Sequence, residues 1–223
     1  MYKSNVLYFM ATAFLGLLLG SSVSARLPDP SISSMHLSDE PDLIQLYTQD
    51  ELNKLILENR HLERVKLDEC QFTKDIKDRA LILHYPPYLY LWSDMNLTNT
   101  CIHGNIKDAI AAMKMAAGKG MPIALYRIGQ FYLKGEYLQQ DYNAAYRYTY
   151  LSASLGFDDA KLQLVALLAT HEGNEADYAN AYSWLYSTVF NDPAKFALAK
   201  KLLSALENKM PNSMVEEIRS KNS

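Results

Sequence analysis

The residues most able to carry out chemistry in this chain are five histidines and two cysteines among 223 residues. None of the histidines stands at a sequence spacing that would bring it to a carboxylate or a thiolate on one helix face. The sequence also contains no phosphate-binding glycine loop and no nucleophile elbow. We therefore expect neither catalysis nor a cofactor. The histidines are His36, His61, His84, His103 and His171.

The two cysteines, Cys70 and Cys101, are predicted to form a disulfide. An exported chain with an even number of cysteines normally pairs them. Two free thiols or a metal site are the alternatives, and the lack of histidines at ligand spacing makes the pair a poor zinc site. A bridge would tie the region before the repeats to the first repeat. In the chain-entropy model it would stabilise the fold by about 3 to 4 kcal/mol.

The first 25 residues are typical of a secretory signal. Their apolar stretch, Val6 to Leu19, is shorter than the roughly 20 residues that a spanning helix needs, and small residues precede Arg26. A retained membrane anchor is the alternative. Cleavage would remove Lys3 and no acid, so the formal net charge would change by one, from −3 to −4. This weakly acidic charge provides no basic face for nucleic acid.

The second half of the chain carries an internal repeat with a period of 36 residues. The positions that coincide after this shift include Asn105, Asp141 and Asp177, and also Ala109, Ala145 and Ala181. Such a period is the mark of helix-hairpin solenoids, whose units bury their apolar faces against neighbouring units. We predict an all-α fold, a helix-hairpin solenoid of about three 36-residue repeats with an N-terminal helical region.

Each predicted unit consists of a helix A, a turn and a helix B. Helix B is predicted to start after Asn105, Asp141 and Asp177, because these side chains accept the free N–H groups of a first helical turn. Gly120 and Gly156 follow helix B, where a left-handed conformation favours glycine.

Outside the repeats, the pattern predicts further helices. Thr48 and Glu51 form a capping box at the start of a helix predicted over 49–63. An extended segment is expected over 64–72, followed by a second helix over 74–83 that ends before Pro86. After the repeats, we predict a capping helix over 194–209 and a short helix starting near Ser213. The chain thus divides into a signal peptide (1–25), a flexible lead-in (26–46), an N-terminal helical region (47–87), a repeat array with its capping helix (88–204) and a C-terminal segment (205–223).

The second unit resembles the Sel-one-like repeat, a relative of the tetratricopeptide repeat. The likeness rests on Ala124, Leu125, Ile128, Gly129, Tyr132, Gly135, Asp141, Ala145, Ala153, Gly156 and Ala160. This resemblance implies two helices per unit, stacked in a right-handed α-α superhelix. The turn glycine of the pattern, Gly135 here, is replaced by Asn99 in the first unit and by His171 in the third.

The region before the repeats resembles the MotX family of periplasmic proteins from sodium-driven polar flagellar motors. The likeness begins with Tyr47, Thr48, Glu51, His61, Leu62, Arg64, Val65, Asp68, Cys70, Gln71, Asp75, Ile76 and Ala80. It continues with Asp177, Tyr178, Ala181, Tyr182, Trp184, Leu185, Tyr186, Glu207, Met210 and Pro211. The resemblance implies a periplasmic protein of the flagellar basal body. Together with a MotY-like ring protein, it would let a PomA/PomB-like stator assemble, and it would meet the PomB-like subunit. In that family the cysteine pair is expected to be a stabilising disulfide.

Repeat folds host many partners, so a general periplasmic scaffold or a peptidoglycan-associated adaptor is the alternative function. We expect no nucleic acid and no small-molecule substrate. The concave face of a helical solenoid is lined mainly by helix A, which makes Tyr126, Arg127, Gln130 and Lys134 the candidate partner surface. An ordinary solvated helix face is the alternative for these four residues.

Overall fold

The computed structural model describes residues 47–171 and 175–222. The signal peptide and lead-in expected for residues 1–46 lie outside the described residues. Within the described ranges the chain forms α-helices and no strand, which confirms the all-α prediction. The helices are α1 (Gln49–Leu57), α2 (His61–Leu67), α3 (Thr73–Leu81), α4 (Pro86–Thr98), α5 (Ile106–Gly118), α6 (Pro122–Lys134), α7 (Tyr142–Ser154), α8 (Asp158–Thr170), α9 (Glu175–Tyr186), α10 (Pro193–Glu207) and α11 (Asn212–Lys221).

Consecutive helices pack in pairs, α4 with α5, α6 with α7 and α8 with α9. Each helix B then packs against the helix A of the next unit, so the pairs stack into the predicted solenoid. Helices α4, α6 and α8 begin at Pro86, Pro122 and Asp158, two steps of 36 residues. This spacing confirms the period predicted from the sequence. Within the described part of the chain, no helix is both long and apolar enough to cross a bilayer.

The predicted N-caps explain where the first two B helices begin. The Asn105 side chain accepts hydrogen bonds from the backbone N–H groups of Lys107 and Asp108, at 2.8 and 3.4 Å. The Asp141 side chain accepts one from the Ala144 N–H at 2.9 Å. Each cap satisfies donors that the first turn of a helix leaves free.

The turns between helices use left-handed residues, as the sequence predicts. Gly120 and Gly156 have φ angles of 80° and 91° just after the two B helices. Gly135 ends α6 with a φ of 69°, and Asn99 ends α4 with a φ of 54° at the equivalent place. Asparagine tolerates this conformation better than most residues, so the first unit keeps the turn without the glycine.

The third unit departs from the prediction at Asp177. Helix α9 begins at Glu175, so Asp177 lies inside the first turn instead of capping it. A carboxylate in the first turn still interacts favourably with the positive end of the helix dipole.

Two predictions for the N-terminal region are wrong. The helix expected over 49–63 is interrupted, because α1 ends at Leu57 and Asn59 adopts a left-handed φ of 56° before α2 begins. The segment 64–72 is not extended. His61 and Val65 lie one helical turn apart and are both buried, which favours a helix up to Leu67.

The other predicted helices are present with small shifts of their ends. The Thr48 hydroxyl caps α1 by accepting the Glu51 N–H at 3.1 Å. Helices α3, α10 and α11 correspond to the predictions over 74–83, over 194–209 and from Ser213.

The buried apolar residues of the described chain fall into two clusters. The first runs from Tyr47 to Phe131 and holds α1 to α6 together. The second runs from Ala153 to Val215 and involves the later helices. Polar side chains connect the units near the boundary, because Gln163 of α8 accepts a hydrogen bond from Gln130 and donates one of 2.9 Å to Thr149.

Candidate functional site

Helix α6 carries all four residues of the predicted partner surface. Tyr126 is half-buried, and its ring centroid lies 5.3 Å from that of Phe157. Burial raises the pKa of the Tyr126 hydroxyl, and the Asp159 carboxylate raises it further. Lys134 is exposed in the last turn of α6. These two residues are therefore placed where a partner could reach them.

The other two predicted residues make contacts within the fold. Gln130 donates a hydrogen bond to Gln163 of the next unit. Arg127 places its Nη2 atom 3.5 Å from an Asp94 carboxylate oxygen, and its guanidinium carbon lies 5.4 Å from the Phe131 ring centroid. The side chain of Arg127 remains 41% exposed, so it serves packing on one side and faces solvent on the other.

A buried polar cluster joins three separate helices. The Nε2 atom of His61 in α2 lies 2.8 Å from an Asp94 carboxylate oxygen in α4. Arg127 of α6 approaches the other oxygen of the same carboxylate. The side chains of His61 and Asp94 are only 2% and 8% exposed. One carboxylate therefore links the N-terminal region to the first two repeats.

Sequence reasoning missed this cluster because its members do not share a helix. A usable signal is Asp94 itself, the single charged residue of α4, whose sequence is PPYLYLWSDMNLT. A lone acid in an otherwise uncharged and mostly apolar helix predicts a buried partner of opposite charge or a hydrogen-bond donor.

His61, Asp94 and Arg127 hold three helices together, and we call this cluster the buried clamp. The nearby hydroxyl of Ser93 is engaged elsewhere, since it donates to the Ala109 carbonyl oxygen of α5 at 2.8 Å. Tyr90 packs edge-on against the His61 ring at a centroid distance of 5.6 Å, and burial raises the pKa of its hydroxyl. Among residues 47–171 and 175–222, no group of three or more His, Cys, Asp or Glu side chains is arranged to hold a metal ion.

A groove of about 450 Å³ opens beside this clamp along the A helices. An adjoining apolar groove of about 390 Å³ shares Leu57, Ile123, Gly156 and Phe157 with it. The polar part of the first groove is lined by Tyr90, Tyr126, Arg127, Asp158, Asp159 and Lys195. A groove with an apolar part and a charged part can accept an amphipathic polypeptide segment.

The predicted pairing of the cysteines is present in the structure. Cys70, in the turn after α2, and Cys101, in the turn after α4, form a disulfide with their Cα atoms 5.5 Å apart. The bridge fastens the N-terminal helices to the first repeat from one side, and the clamp around Asp94 fastens them through the core.

Comparison with known proteins identifies the family. The sodium-type polar flagellar protein MotX of Vibrio parahaemolyticus is 36% identical to this chain over 172 residues, which cover 77% of this chain and 82% of that protein. The chain belongs to the MotX family. No protein-family profile matches the sequence.

Two solved structures of repeat proteins were also found. A protective antigen of uropathogenic Escherichia coli with an SLR fold shares 20% identity at a TM-score of 0.46, covering 60% of this chain and 29% of that protein. A Sel1 repeat protein from Oxalobacter formigenes shares 21% identity at a TM-score of 0.44, covering 70% of this chain and 55% of that protein. This chain thus spans less than two thirds of the length of either repeat protein.

In this MotX family member, two residues on which the sequence resemblance rests have structural roles. His61 belongs to the buried clamp, and Cys70 belongs to the disulfide. Both hold the N-terminal helices against the first repeat. These two residues are therefore not free to bind a partner, and the candidate partner surface lies on the repeats.

Proposed function

We propose that this chain is a periplasmic component of the sodium-driven polar flagellar motor. With a MotY-like ring protein it forms a ring on the basal body, and this ring lets a PomA/PomB-like stator assemble for torque generation. The observation that carries the proposal is the 36% identity to MotX across 77% of the chain. In this role the chain acts as a scaffold that binds other proteins.

The contact with the PomB-like subunit is proposed to lie on the exposed part of α6 and on the groove beside it. Tyr126 lines this groove, and Lys134 is exposed at the end of the same helix. A groove with apolar and charged parts can anchor one segment of a stator subunit by its apolar side chains and orient it by charge.

Deletion of the gene tests the motor role. Cells without the gene should be paralysed yet carry normal numbers of flagellar filaments, counted by electron microscopy. Motility should return when the wild-type gene is supplied on a plasmid. Normal swimming in the deletion strain would overturn the motor role.

Charge reversal at Lys134 tests the proposed surface. Lys134→Glu should reduce capture of the periplasmic part of the PomB-like subunit in a pull-down, with helical circular dichroism unchanged. Lys107→Glu, at an exposed residue of α5, is the matched control. Reversal at Arg127 is a poor test, because a glutamate there would lie beside the buried Asp94 carboxylate. Unaltered capture by Lys134→Glu would refute the part of the contact assigned to the C-terminal end of α6.

A further inference from the structure

The groove beside the buried clamp contains a buried tyrosine whose hydroxyl has no acceptor. Tyr90 of α4 lines this groove although only 4% of the residue is exposed, and its hydroxyl forms no hydrogen bond with any residue of 47–171 or 175–222. Burial and the nearby Asp94 carboxylate raise the pKa of the hydroxyl, so it stays protonated. A phenolic hydroxyl can both donate and accept. The floor of the groove therefore offers an unused donor.

Arg127 of α6 lines the same groove and also keeps its donors unused. Its Nη2 atom lies 3.5 Å from an Asp94 oxygen, but this contact is an ion pair without a hydrogen bond. Within the described chain, neither that oxygen nor the buried Nε atom of Arg127 has a hydrogen-bond partner. A guanidinium carries five N–H donors in a planar arrangement that matches a carboxylate. Because an unpaired buried donor is costly, an acceptor in the groove would stabilise this side chain.

The acids that line the groove already have cationic partners within the described chain. Asp159 pairs with Lys195, and Asp158 pairs with Lys161 at 2.9 Å. Both acids lie in the first turn of α8, where the positive end of the helix dipole favours carboxylates. Arg127 is therefore the lining cation whose hydrogen-bond donors remain available.

The adjoining groove of about 390 Å³ provides an apolar seat next to these donors. Leu57 and Leu155 line it and are 64% and 54% exposed, which is unusual for large apolar side chains. Met121, Pro122, Ile123 and Phe157 complete the apolar lining. A ligand that covers both grooves must therefore combine an acceptor with apolar groups.

We propose that the two grooves bind a polypeptide segment that places an aspartate or glutamate carboxylate between Tyr90 and Arg127 and a neighbouring apolar side chain against Leu57 and Leu155. The inference deepens the contact proposed above at the same groove. It rests on the proposed function for the existence of a partner at this place, whereas the chemistry of the bound segment is read from the lining residues.

The depth of the donors favours a side-chain carboxylate over the carboxylate at a chain end. Because Tyr90 is almost fully buried, its hydroxyl is reached only by a group that projects from a chain lying along the groove. The side chain of an acidic residue projects in this way, while a terminal carboxylate is attached directly to the backbone. Charge-assisted hydrogen bonds to a planar guanidinium then fix the position of the segment.

A peptide library tests the proposal without assuming a sequence. The probe is a library of short random peptides displayed on bacteriophage and selected on the purified full chain. We expect the recovered peptides to carry Asp or Glu next to a large apolar residue. The tightest binder is synthesised with both ends blocked, together with a counterpart in which Gln replaces the acid. Fluorescence anisotropy should show about tenfold tighter binding of the acidic peptide.

Two variants of the groove should reduce this preference for the acidic peptide. Tyr90→Phe removes only a hydroxyl that has no bond within the described chain, so thermal unfolding should stay unchanged while the preference falls about threefold. Arg127→Gln should reduce the preference to within about twofold. Tyr148→Phe and Arg147→Gln, at residues that line neither groove, are the matched controls and should keep it.

The apolar seat has its own test. Leu155→Ser should weaken the binding of the acidic peptide and of its Gln counterpart alike, by about threefold, because the apolar contact is independent of the carboxylate.

Three results would overturn the proposal. They are recovery of no peptides or of peptides without acids, a preference that survives in both Tyr90→Phe and Arg127→Gln, and equally tight binding of the Gln counterpart once its C-terminus is left free. The assay contains no stator protein. Peptide binding without capture of the PomB-like subunit would therefore refute the proposed partner and leave the site intact. Capture of that subunit without any preference for acids would refute the chemistry of the site alone.

Discussion

The two ends of the repeat array are closed in different ways. At the N-terminal end, α4 is held by a disulfide, by the buried pair of His61 and Asp94, and by the Tyr88 hydroxyl, which donates to the Tyr47 carbonyl oxygen at 2.6 Å. At the C-terminal end, the ion pair of Arg219 with Glu207 is substantially exposed, and Phe196 and Lys200 of α10 are exposed as well. Removing a disulfide or one partner of a buried charged pair costs several kcal/mol, whereas an exposed ion pair contributes at most about 1 kcal/mol. The array is therefore fixed at one end and accessible at the other.

Removal of the disulfide should reduce the difference in stability between the two ends more than any other change. The double variant Cys70→Ser/Cys101→Ser frees a crosslink with a sequence separation of 31 residues. We expect the free energy of unfolding, measured by urea denaturation, to fall by about 4 kcal/mol. Each single variant should show lower periplasmic abundance. A non-reducing gel with two free thiols in the exported wild-type protein would contradict the bridge.

Removal of the buried carboxylate should have the next largest effect. Asp94→Ala leaves His61 without its hydrogen-bond partner and Arg127 without its counter-charge. The free energy of unfolding should fall by about 3 kcal/mol. Glu136→Ala, at an exposed acid, should change it by less than about 0.5 kcal/mol and serves as the control. Equal effects of the two substitutions would show that the clamp is not stabilising.

A methyl group at the covered position of α6 should destabilise the middle of the array. The new Cβ of Gly129→Ala would lie 2.8 Å from the Thr149 hydroxyl oxygen, closer than normal contact. We expect a loss of about 2 kcal/mol in thermal or urea denaturation. Adding Thr149→Ala should restore part of this loss. Full stability of Gly129→Ala alone would mean that the hairpin relaxes at no cost.

At the C-terminal end, Glu207→Ala should have a smaller effect. The substitution removes the acceptor shared by the Tyr182 hydroxyl and Arg219, but Arg219 Nε still lies 2.9 Å from the Tyr182 oxygen. The expected loss is about 1 kcal/mol. A loss as large as that of Asp94→Ala would remove the contrast between the ends.

The smallest effect is expected at Lys200. Lys200→Ala changes an exposed residue of α10, so the free energy of unfolding should change by less than about 0.5 kcal/mol. Gly129→Ala and Lys200→Ala thus compare a covered residue in the middle of the array with an exposed residue at its C-terminal end. A large loss for Lys200→Ala would show that Lys200 makes a stabilising contact within the chain.

The repeat itself was predictable because its signals are local. The caps at Asn105 and Asp141, and the glycines at Gly120 and Gly156, act on backbone groups only a few residues away. Such signals are read directly from the sequence.

The clamp was not predictable in the same way. His61, Asp94 and Arg127 meet only after three helices have packed, and no spacing in the sequence brings them together. Arg127 is predicted on the partner surface, and its side chain is 41% exposed. Its contact with Asp94 could not be read from the sequence, because periodicity reports the face of a helix and not the charge that lies opposite. The interruption of the helix at Asn59 was not predicted, because the residues on both sides favour a helix.

Because the buried hydrophobic residues form two clusters, the molecule should unfold in two steps. In a stacked array each unit contacts only its neighbours, so unfolding should start at the less stable end. Fraying should begin at α10 and α11, so their amide hydrogens should exchange with deuterium first. Helices α1 to α6, which share the first cluster and the crosslink, should remain protected after the second cluster has opened. For this protein, a single melting temperature would therefore combine two events.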